Sequence, residues 1–321
     1  MLRIVFAGTP EFAVPTLRAL AQSQHVLVGV LTQPDRPAGR GRALKESPVK
    51  RLAQQLQLPL SQPEHLQDPQ ARATLATWAP DALVVVAYGL ILPAAVLALP
   101  RLGCFNVHAS LLPRWRGAAP IERAVLAGDS ETGVTIMQIE ARLDSGPILA
   151  QQPIPIGADQ NSGQLHDRLA PLGARLMLET LEQAEAAKLH PQPQTNQWVT
   201  YAAKIDRAEA QIGWAGTAMA IERQIRAFNP RPVAHTLWQG QPLRIWEAQL
   251  VGAQLAGEME AAGRPADPAP PGTILGLSHD RLTVQCGQGR LALTKLQLAG
   301  RRIVTAREFA SGHALAGSRF G

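Results

Sequence analysis

Residues 81–89 read DALVVVAYG, and residues 103–110 read GCFNVHAS. The first is a run continuous in Val and Leu, with no polar residue between Ala82 and Ala87. A strand covered on both faces needs that pattern, which is characteristic of the interior of a parallel sheet. The second stretch is apolar except for Asn106 and His108, and Ser110 and Pro113 bring it to an end. The neighbouring segments repeat the theme. LRIVFAG (2–8) and HVLVGVLTQ (25–33) read as strands, and FAVPTLRALAQS (12–23) has helical spacing. SPVKRLAQQLQ (47–57) reads as a helix with Ser47 as N-cap and Pro48 in its first turn. TGVTIMQIE (132–140) and ILAQQPIPI (148–156) form a later strand pair, and residues 163–187 make one long helix or two divided near Pro171. The alternation predicts an α/β Rossmann-like open sheet with helices on both faces.

The texture changes after Gln192. A polar stretch, residues 191–214, reads as a linker that wraps around the first domain, and GTAMAIERQIRAFNP (216–230) reads as a short helix. Short β-like runs follow: VAHTLWQG, QPLRIWEAQLV, GTILGLSH, RLTVQCG and RLALTKLQLAG, separated by turn residues. They predict a smaller, OB-like β-barrel. Residues 257–271, rich in Ala, Pro and Gly, read as a surface loop inserted in it. The expected division is a catalytic domain over 1–190, a linker over 191–207 and a barrel domain over 208–321.

Composition narrows the class. The chain has 321 residues, 46% hydrophobic and 17% charged, enough for a large domain and a smaller one. Its two cysteines, Cys104 and Cys286, form no CxxC or Cys/His cluster, so neither a disulfide framework nor a zinc site is expected, and a reducing compartment fits. The start lacks the sections of a secretory signal, and the apolar run 82–99 is broken by Gly89 and Pro93, so no membrane span is expected. The net charge is +6, and the excess is uneven: from Pro271 onward there are 7 basic residues against 2 acidic ones. That leaves two readings, a solubilising surface or a phosphate-facing patch.

Three segments can carry chemistry. Asn106 and His108 share one face of their strand, because successive side chains alternate. At the carboxyl end of a strand in an open α/β sheet, an Asn-x-His offers an amide donor and a proton acceptor to one ligand atom. The plainer reading is two polar groups satisfied by loop backbone. Asp144, in RLDSGPIL, is either a turn aspartate or the carboxylate that orients His108. Residues 32–50, TQPDRPAGRGRALKESPVK, carry Arg36, Arg40, Arg42, Lys45 and Lys50. This is long for a β–α connection, and Pro34 and Pro37 are expected to prevent regular structure in it. It reads as a mobile basic loop that orders on a polyanion.

These motifs resemble one family. FAGTPEFAVPTLRAL, TQPDRPAGRGRALKESPVK, VVVAYGLILP, GCFNVHASLLPRWRGAAPI, ETGVTIMQIEARLDSGPIL and IRAFNPRP occur in the order found in methionyl-tRNA formyltransferases. The resemblance covers most of residues 1–232 in register. It implies the formyltransferase fold followed by the OB-like barrel, and formyl transfer from 10-formyltetrahydrofolate to the α-amine of methionyl initiator tRNA. The implied catalytic set is Asn106, His108 and Asp144. The implied folate contacts are Ser110, Leu111, Leu112 and Pro113, with VVAYGLILP helping to form the pterin pocket. Arg36, Arg40 and Arg42 are implied to meet the tRNA, and RWRG (114–117) is expected to carry charge toward the RNA. No metal is implied, and the protein is expected to act as a cytoplasmic monomer. Two alternatives stay open at this point: another folate formyltransferase acting on a nucleotide or amino sugar, and a non-catalytic nucleic-acid binder using the barrel.

Overall fold

The computed structural model of the chain describes residues 1–38, 43–252, 269–313, 315 and 317–321. The chain divides into two compact units. The first comprises Met1–Pro120, Glu131–Pro155 and Leu165–Ala203; the second comprises Ile121–Ser130, Ile156–Gln164 and Lys204–Gly321.

The strands of the first unit are β1 (Arg3–Gly8), β2 (Val26–Leu31), β3 (Arg36–Ala38), β4 (Ala43–Lys45), β5 (Leu60–Ser61), β6 (Ala82–Val86), β7 (Cys104–His108), β8 (Arg116–Gly117), β9 (Glu131–Gln138), β10 (Ile148–Pro155) and β11 (Tyr201–Ala202). Seven form one sheet in the order β10-β9-β7-β6-β1-β2-β5. The pairs from β5 through to β7 are parallel, while β9 and β10 close the other edge as an antiparallel pair. The chain builds outward from β1 in one direction, then returns to build from β6 in the other. That reversal opens a crevice at the carboxyl ends of the central strands. All five residues of β6 are buried, as its uninterrupted aliphatic run requires. Each such Val or Leu contributes about 1.5–3 kcal/mol by leaving water.

The helices are α1 (Val14–Ala21), α2 (Pro48–Gln55), α3 (Pro69–Trp78), α4 (Ala94–Leu97), α5 (Pro120–Ala127), α6 (Ser162–Glu185), α7 (Ala218–Ala227) and α8 (Ala306–Ser311). Ser47 caps α2 by accepting the Lys50 N–H at 3.0 Å, with Pro48 at the first position. Residues 162–185 form a single helix through Pro171. Among the described residues, no helix is long and apolar enough to cross a membrane.

One expectation is overturned in the basic segment. Pro37 lies inside a strand: β3 and β4 pair antiparallel, with Arg36 opposite Lys45, Pro37 opposite Leu44 and Ala38 opposite Ala43. A two-stranded ribbon has free edges, where a proline removes no ladder hydrogen bond. The ribbon's base is tied down by Asp35, which accepts from Lys50 Nζ at 2.5 Å and from Gln62 Nε2 at 2.9 Å. Arg40 and Arg42 lie outside the described residues, as does most of the inserted segment at 257–271.

The second unit holds β12 (His235–Trp238), β13 (Gln241–Leu250), β14 (Ile274–Ser278), β15 (Arg281–Gln285), β16 (Arg290–Leu298) and β17 (Val304–Thr305). They form an antiparallel sheet in the order β12-β13-β16-β15-β14, with β17 beside β16. Register shifts on either side of Glu247 let the long β13 strand bend along β16. The smaller β domain expected from the short runs is therefore present as a curled antiparallel sheet. Residues 121–130 join this unit through Arg123, whose guanidinium grips Glu209 at 2.6 and 3.0 Å. Helix α8 is too short for a periodic signal. Its capping box, Thr305 with Glu308 three residues on, is the legible sign of it.

Candidate active site

Strand β7 ends at His108, which is 5% exposed. Its Nε2 lies 2.8 Å from the Trp115 carbonyl oxygen. A carbonyl only accepts, so Nε2 carries the hydrogen and Nδ1 is the nitrogen left to take a proton. Nδ1 faces Asp144 Oδ2 at 3.8 Å. The same carboxylate oxygen accepts the Gly117 N–H at 2.8 Å, and this fixes it in place. Asn106, two residues back on the same face, is half-buried, and among the described residues no hydrogen bond holds its carboxamide. The structure thus brings His108 and Asp144 together across 36 residues of sequence, on the face that Asn106 shares.

Two loops build this geometry. Residues 109–117 leave β7 and turn back through Trp115, which has a left-handed φ of +64°. Asp144 sits in the turn between β9 and β10, with φ +46°. Two glycines are needed for the approach. Gly117 has φ +122°, and a Cβ there would lie 2.7 Å from the Ala202 carbonyl oxygen. A Cβ on Gly146 would collide with the Gln138 carbonyl oxygen.

The Ser110–Pro113 turn is held from inside. Thr135 Oγ1 donates to the Ser110 carbonyl at 2.7 Å and accepts from the Leu112 N–H at 3.1 Å and from Gln151 Nε2 at 2.9 Å. That is the full capacity of a hydroxyl: one donor and two lone pairs. Gln151 also donates to the Leu112 carbonyl at 2.8 Å, and Ser110 Oγ donates to the Arg114 carbonyl at 2.6 Å. Ser110 and Leu112 are buried and engaged in this turn, while Leu111 and Pro113 are half-buried. The Leu112–Pro113 bond is cis.

On the adjacent strand, the loop leaving β6 carries Tyr88–Leu92. Leu90 and Leu92 pack against the apolar core, and Ile91 stands 83% exposed. The Tyr88 carbonyl accepts from Thr9 Oγ1 at 2.9 Å and Gln33 Nε2 at 3.0 Å, tying three strand ends together. Burial pushes the Tyr88 hydroxyl above the usual tyrosine range. It also pushes the Cys104 thiol up to about 12, leaving that cysteine a packing residue. Among the described residues, no three His, Cys, Asp or Glu side chains converge as a metal site.

Arg116 corrects an expectation. It does not carry charge outward: it is 8% exposed, with Nε and Nη2 on Gln194 Oε1 at 3.0 and 2.6 Å. Arg114 lies over the Trp115 ring, with its guanidinium carbon 4.4 Å from the centroid. Arg36 is exposed on the β3–β4 ribbon. Sequence reasoning missed Thr135, Gln151, Gln194 and Thr200. All four are uncharged polar residues in strands or in a polar connector, where nothing local marks them.

The chain matches two family profiles, described as "Formyl transferase" over residues 2–181 and "Formyl transferase, C-terminal domain" over residues 204–314. It is 52% identical over 320 residues to the methionyl-tRNA formyltransferase of Methylococcus capsulatus, covering the whole of both chains. It is 50% identical over 322 residues to that of Methylobacillus flagellatus, again covering both completely. Among solved structures, its fold is similar to that of WlaRD, a sugar 3N-formyl transferase crystallised in the presence of dTDP and 5-N-formyl-THF. That match has a TM-score of 0.64 at 17% identity and covers 94% of this chain and 99% of the other. With both halves matched in order and full-length relatives at half identity, the chain belongs to the methionyl-tRNA formyltransferase family.

Proposed function

We propose that the protein transfers a formyl group from 10-formyltetrahydrofolate to the α-amino group of methionyl initiator tRNA, acting as a monomer in the cytoplasm. The observation that carries this reading is the His108 ring, with Nε2–H fixed on a backbone carbonyl and Nδ1 turned to Asp144, on the strand face that bears the Asn106 amide, which no hydrogen bond holds among the described residues.

Moving a formyl group between nitrogens requires three services. The formyl oxygen gains negative charge at the transition state, and a fixed donor there is worth about 2.7–4 kcal/mol. The Asn106 amide N–H is that donor. The attacking amine must lose a proton, and the leaving nitrogen must gain one. His108 Nδ1 takes and returns it, and Asp144 stabilises the charged ring at that moment. Burial of His108 keeps water from diluting these interactions.

The co-substrate supplies the formyl carbon. The loop after β6 suits a flat, mostly apolar ring, since exposed Ile91 is flanked by Leu90 and Leu92 on the core. Leu111 and Pro113 are the partly open members of the neighbouring turn, and we assign them to the folate, with Ser110 and Leu112 shaping the turn beneath. Arg36, Arg40 and Arg42 are assigned to the phosphates of the tRNA acceptor end. Arg36 stands directly opposite Lys45 on the exposed ribbon. Two like charges so placed repel one another, and a bound polyanion relieves that repulsion.

The test is direct. Purified protein with 10-formyltetrahydrofolate and methionyl initiator tRNA should yield formyl-methionyl-tRNA. No product at any enzyme level overturns the proposal.

A further inference from the structure

The polar stretch after α6 contains a residue that a simple connector does not need. Gln194 uses every hydrogen-bonding position of its carboxamide. Its Oε1 accepts both contacts from the buried Arg116 guanidinium, and its Nε2 donates to the carbonyl oxygens of Asp144 at 2.9 Å and Gly146 at 2.8 Å. An amide has two lone pairs and two hydrogens, so nothing is left over. Asp144 sits at φ +46°, a left-handed conformation that aspartate tolerates better than most residues and that neighbouring hydrogen bonds stabilise. Gln194 supplies such a bond from a position 50 residues further along the chain.

The same stretch acts a second time at Thr200. Its Oγ1 accepts the Trp115 N–H at 2.9 Å, and its carbonyl accepts the Arg116 N–H at 2.9 Å. Trp115 is the residue whose carbonyl oxygen receives His108 Nε2–H. The segment 194–200 therefore braces the backbones on both sides of the proton-holding pair: Asp144 through Gln194, and Trp115 through Thr200. Both act through backbone carbonyl and N–H groups of their neighbours.

We infer that Gln194 is a positioning residue for formyl transfer: it sets the Asp144 backbone so that the carboxylate faces His108 Nδ1. The inference rests on the assignment of Asn106, His108 and Asp144 as the catalytic set. A glutamine serving only to satisfy Arg116 would leave turnover unchanged once the protein was folded. A positioning residue would show itself in kcat and in the pH profile.

The experiment uses the full-length chain with Gln194→Ala and Gln194→Glu. Glutamate keeps an acceptor for Arg116, now as an ion pair, but carries no N–H for the Asp144 and Gly146 carbonyls. It therefore keeps the Arg116 contact while removing the brace. Both variants are expected to lose at least tenfold in kcat, with KM for 10-formyltetrahydrofolate within twofold of the parent. The limb of the kcat–pH profile governed by the His108–Asp144 pair should move. Gln194→Glu leaves the Asp144 and Gly146 carbonyls without their donor and is expected to melt lower than the parent, so kcat is read at a temperature where circular dichroism shows the variant folded. Retention of kcat within twofold by the folded Gln194→Glu protein, or a loss confined to KM, overturns the inference. His108→Ala is measured in parallel. If it is inactive while Gln194→Glu is fully active, this inference alone fails; if His108→Ala is itself active, the catalytic assignment fails.

Discussion

The Nε2 of His108 lies 2.8 Å from the carbonyl oxygen of Trp115, and this contact determines which nitrogen of the imidazole is left open. The carbonyl accepts the Nε2 hydrogen, so the open nitrogen is Nδ1, 3.8 Å from Asp144 Oδ2. The first prediction follows from this division. His108→Gln places an amide N–H within reach of the Trp115 carbonyl but offers no nitrogen that can accept a proton. The variant should fold as the parent does, by circular dichroism and thermal melting, while kcat falls about 10²–10⁴-fold. A folded variant with near-normal turnover would remove His108 from the proton path.

Asp144→Asn tests charge apart from shape. The asparagine oxygen can still accept the Gly117 N–H that Asp144 Oδ2 accepts at 2.8 Å, so the turn should keep its form. What disappears is the negative charge facing the imidazole. Turnover should drop by about a hundredfold or more with little change in melting temperature. An equal loss of stability and activity would mean that the residue is chiefly a turn former.

Gly117→Ala couples backbone and site. At φ +122° an L-residue is strained, and the added methyl meets the Ala202 carbonyl 2.7 Å away. The strain should cost about 1–3 kcal/mol of unfolding free energy, read by urea denaturation. Because the Gly117 N–H anchors Asp144, kcat should fall even under conditions where the variant is fully folded. Full activity in the folded variant would show that this anchor is dispensable.

Arg36→Ala separates the RNA from the fold. Arg36 is exposed and faces Lys45 across the ribbon, so its removal relieves repulsion and should leave the melting temperature unchanged or higher. Activity on methionyl-tRNA should weaken, and the slope of log kcat/KM against log salt should shrink by about one unit. An unchanged salt slope would place Arg36 away from the phosphates.

Asp81 predicts an acid-side effect on stability. Its carboxylate accepts the Arg3 N–H at 2.8 Å and the Arg101 Nε–H at 2.5 Å, and these hold its pKa below the usual carboxylate value, the backbone bond first. A depressed carboxylate contributes stability above its unfolded pKa and loses it as pH falls through the folded one. Asp81→Asn should therefore be less stable than the parent near neutrality, and the gap should close below about pH 4. Melting curves at several pH values read this directly. A gap that stays constant across the range would mean the ionised form is not what matters.

Much of the molecule was legible from local pattern. The aliphatic run Ala82–Val86 reads as a buried strand because it is short, β-branched and unbroken by polar residues, and the Ser47-Pro48 start of α2 reads from its capping chemistry. Pro37 misled because the rule against proline in sheets concerns inner strands, and β3 belongs to a two-stranded ribbon. Arg116 misled because an arginine is normally exposed, and its burial depends on a glutamine 78 residues away.

By itself, the sequence determined the main strands of the central sheet, helices α1, α2, α6 and α7, and the placing of Asn106 and His108 on one face at the end of β7. These follow from short-range rules: the apolar period of each segment and the two-residue alternation of a strand. Only the tertiary structure decided that Asp144 meets His108, that Trp115 offers its carbonyl to the ring, and that Gln194 and Thr200 brace both. Those contacts join residues that are not neighbours in sequence. They form only when sheet register and loop closure bring three separate segments to one point, and no local spacing encodes that convergence.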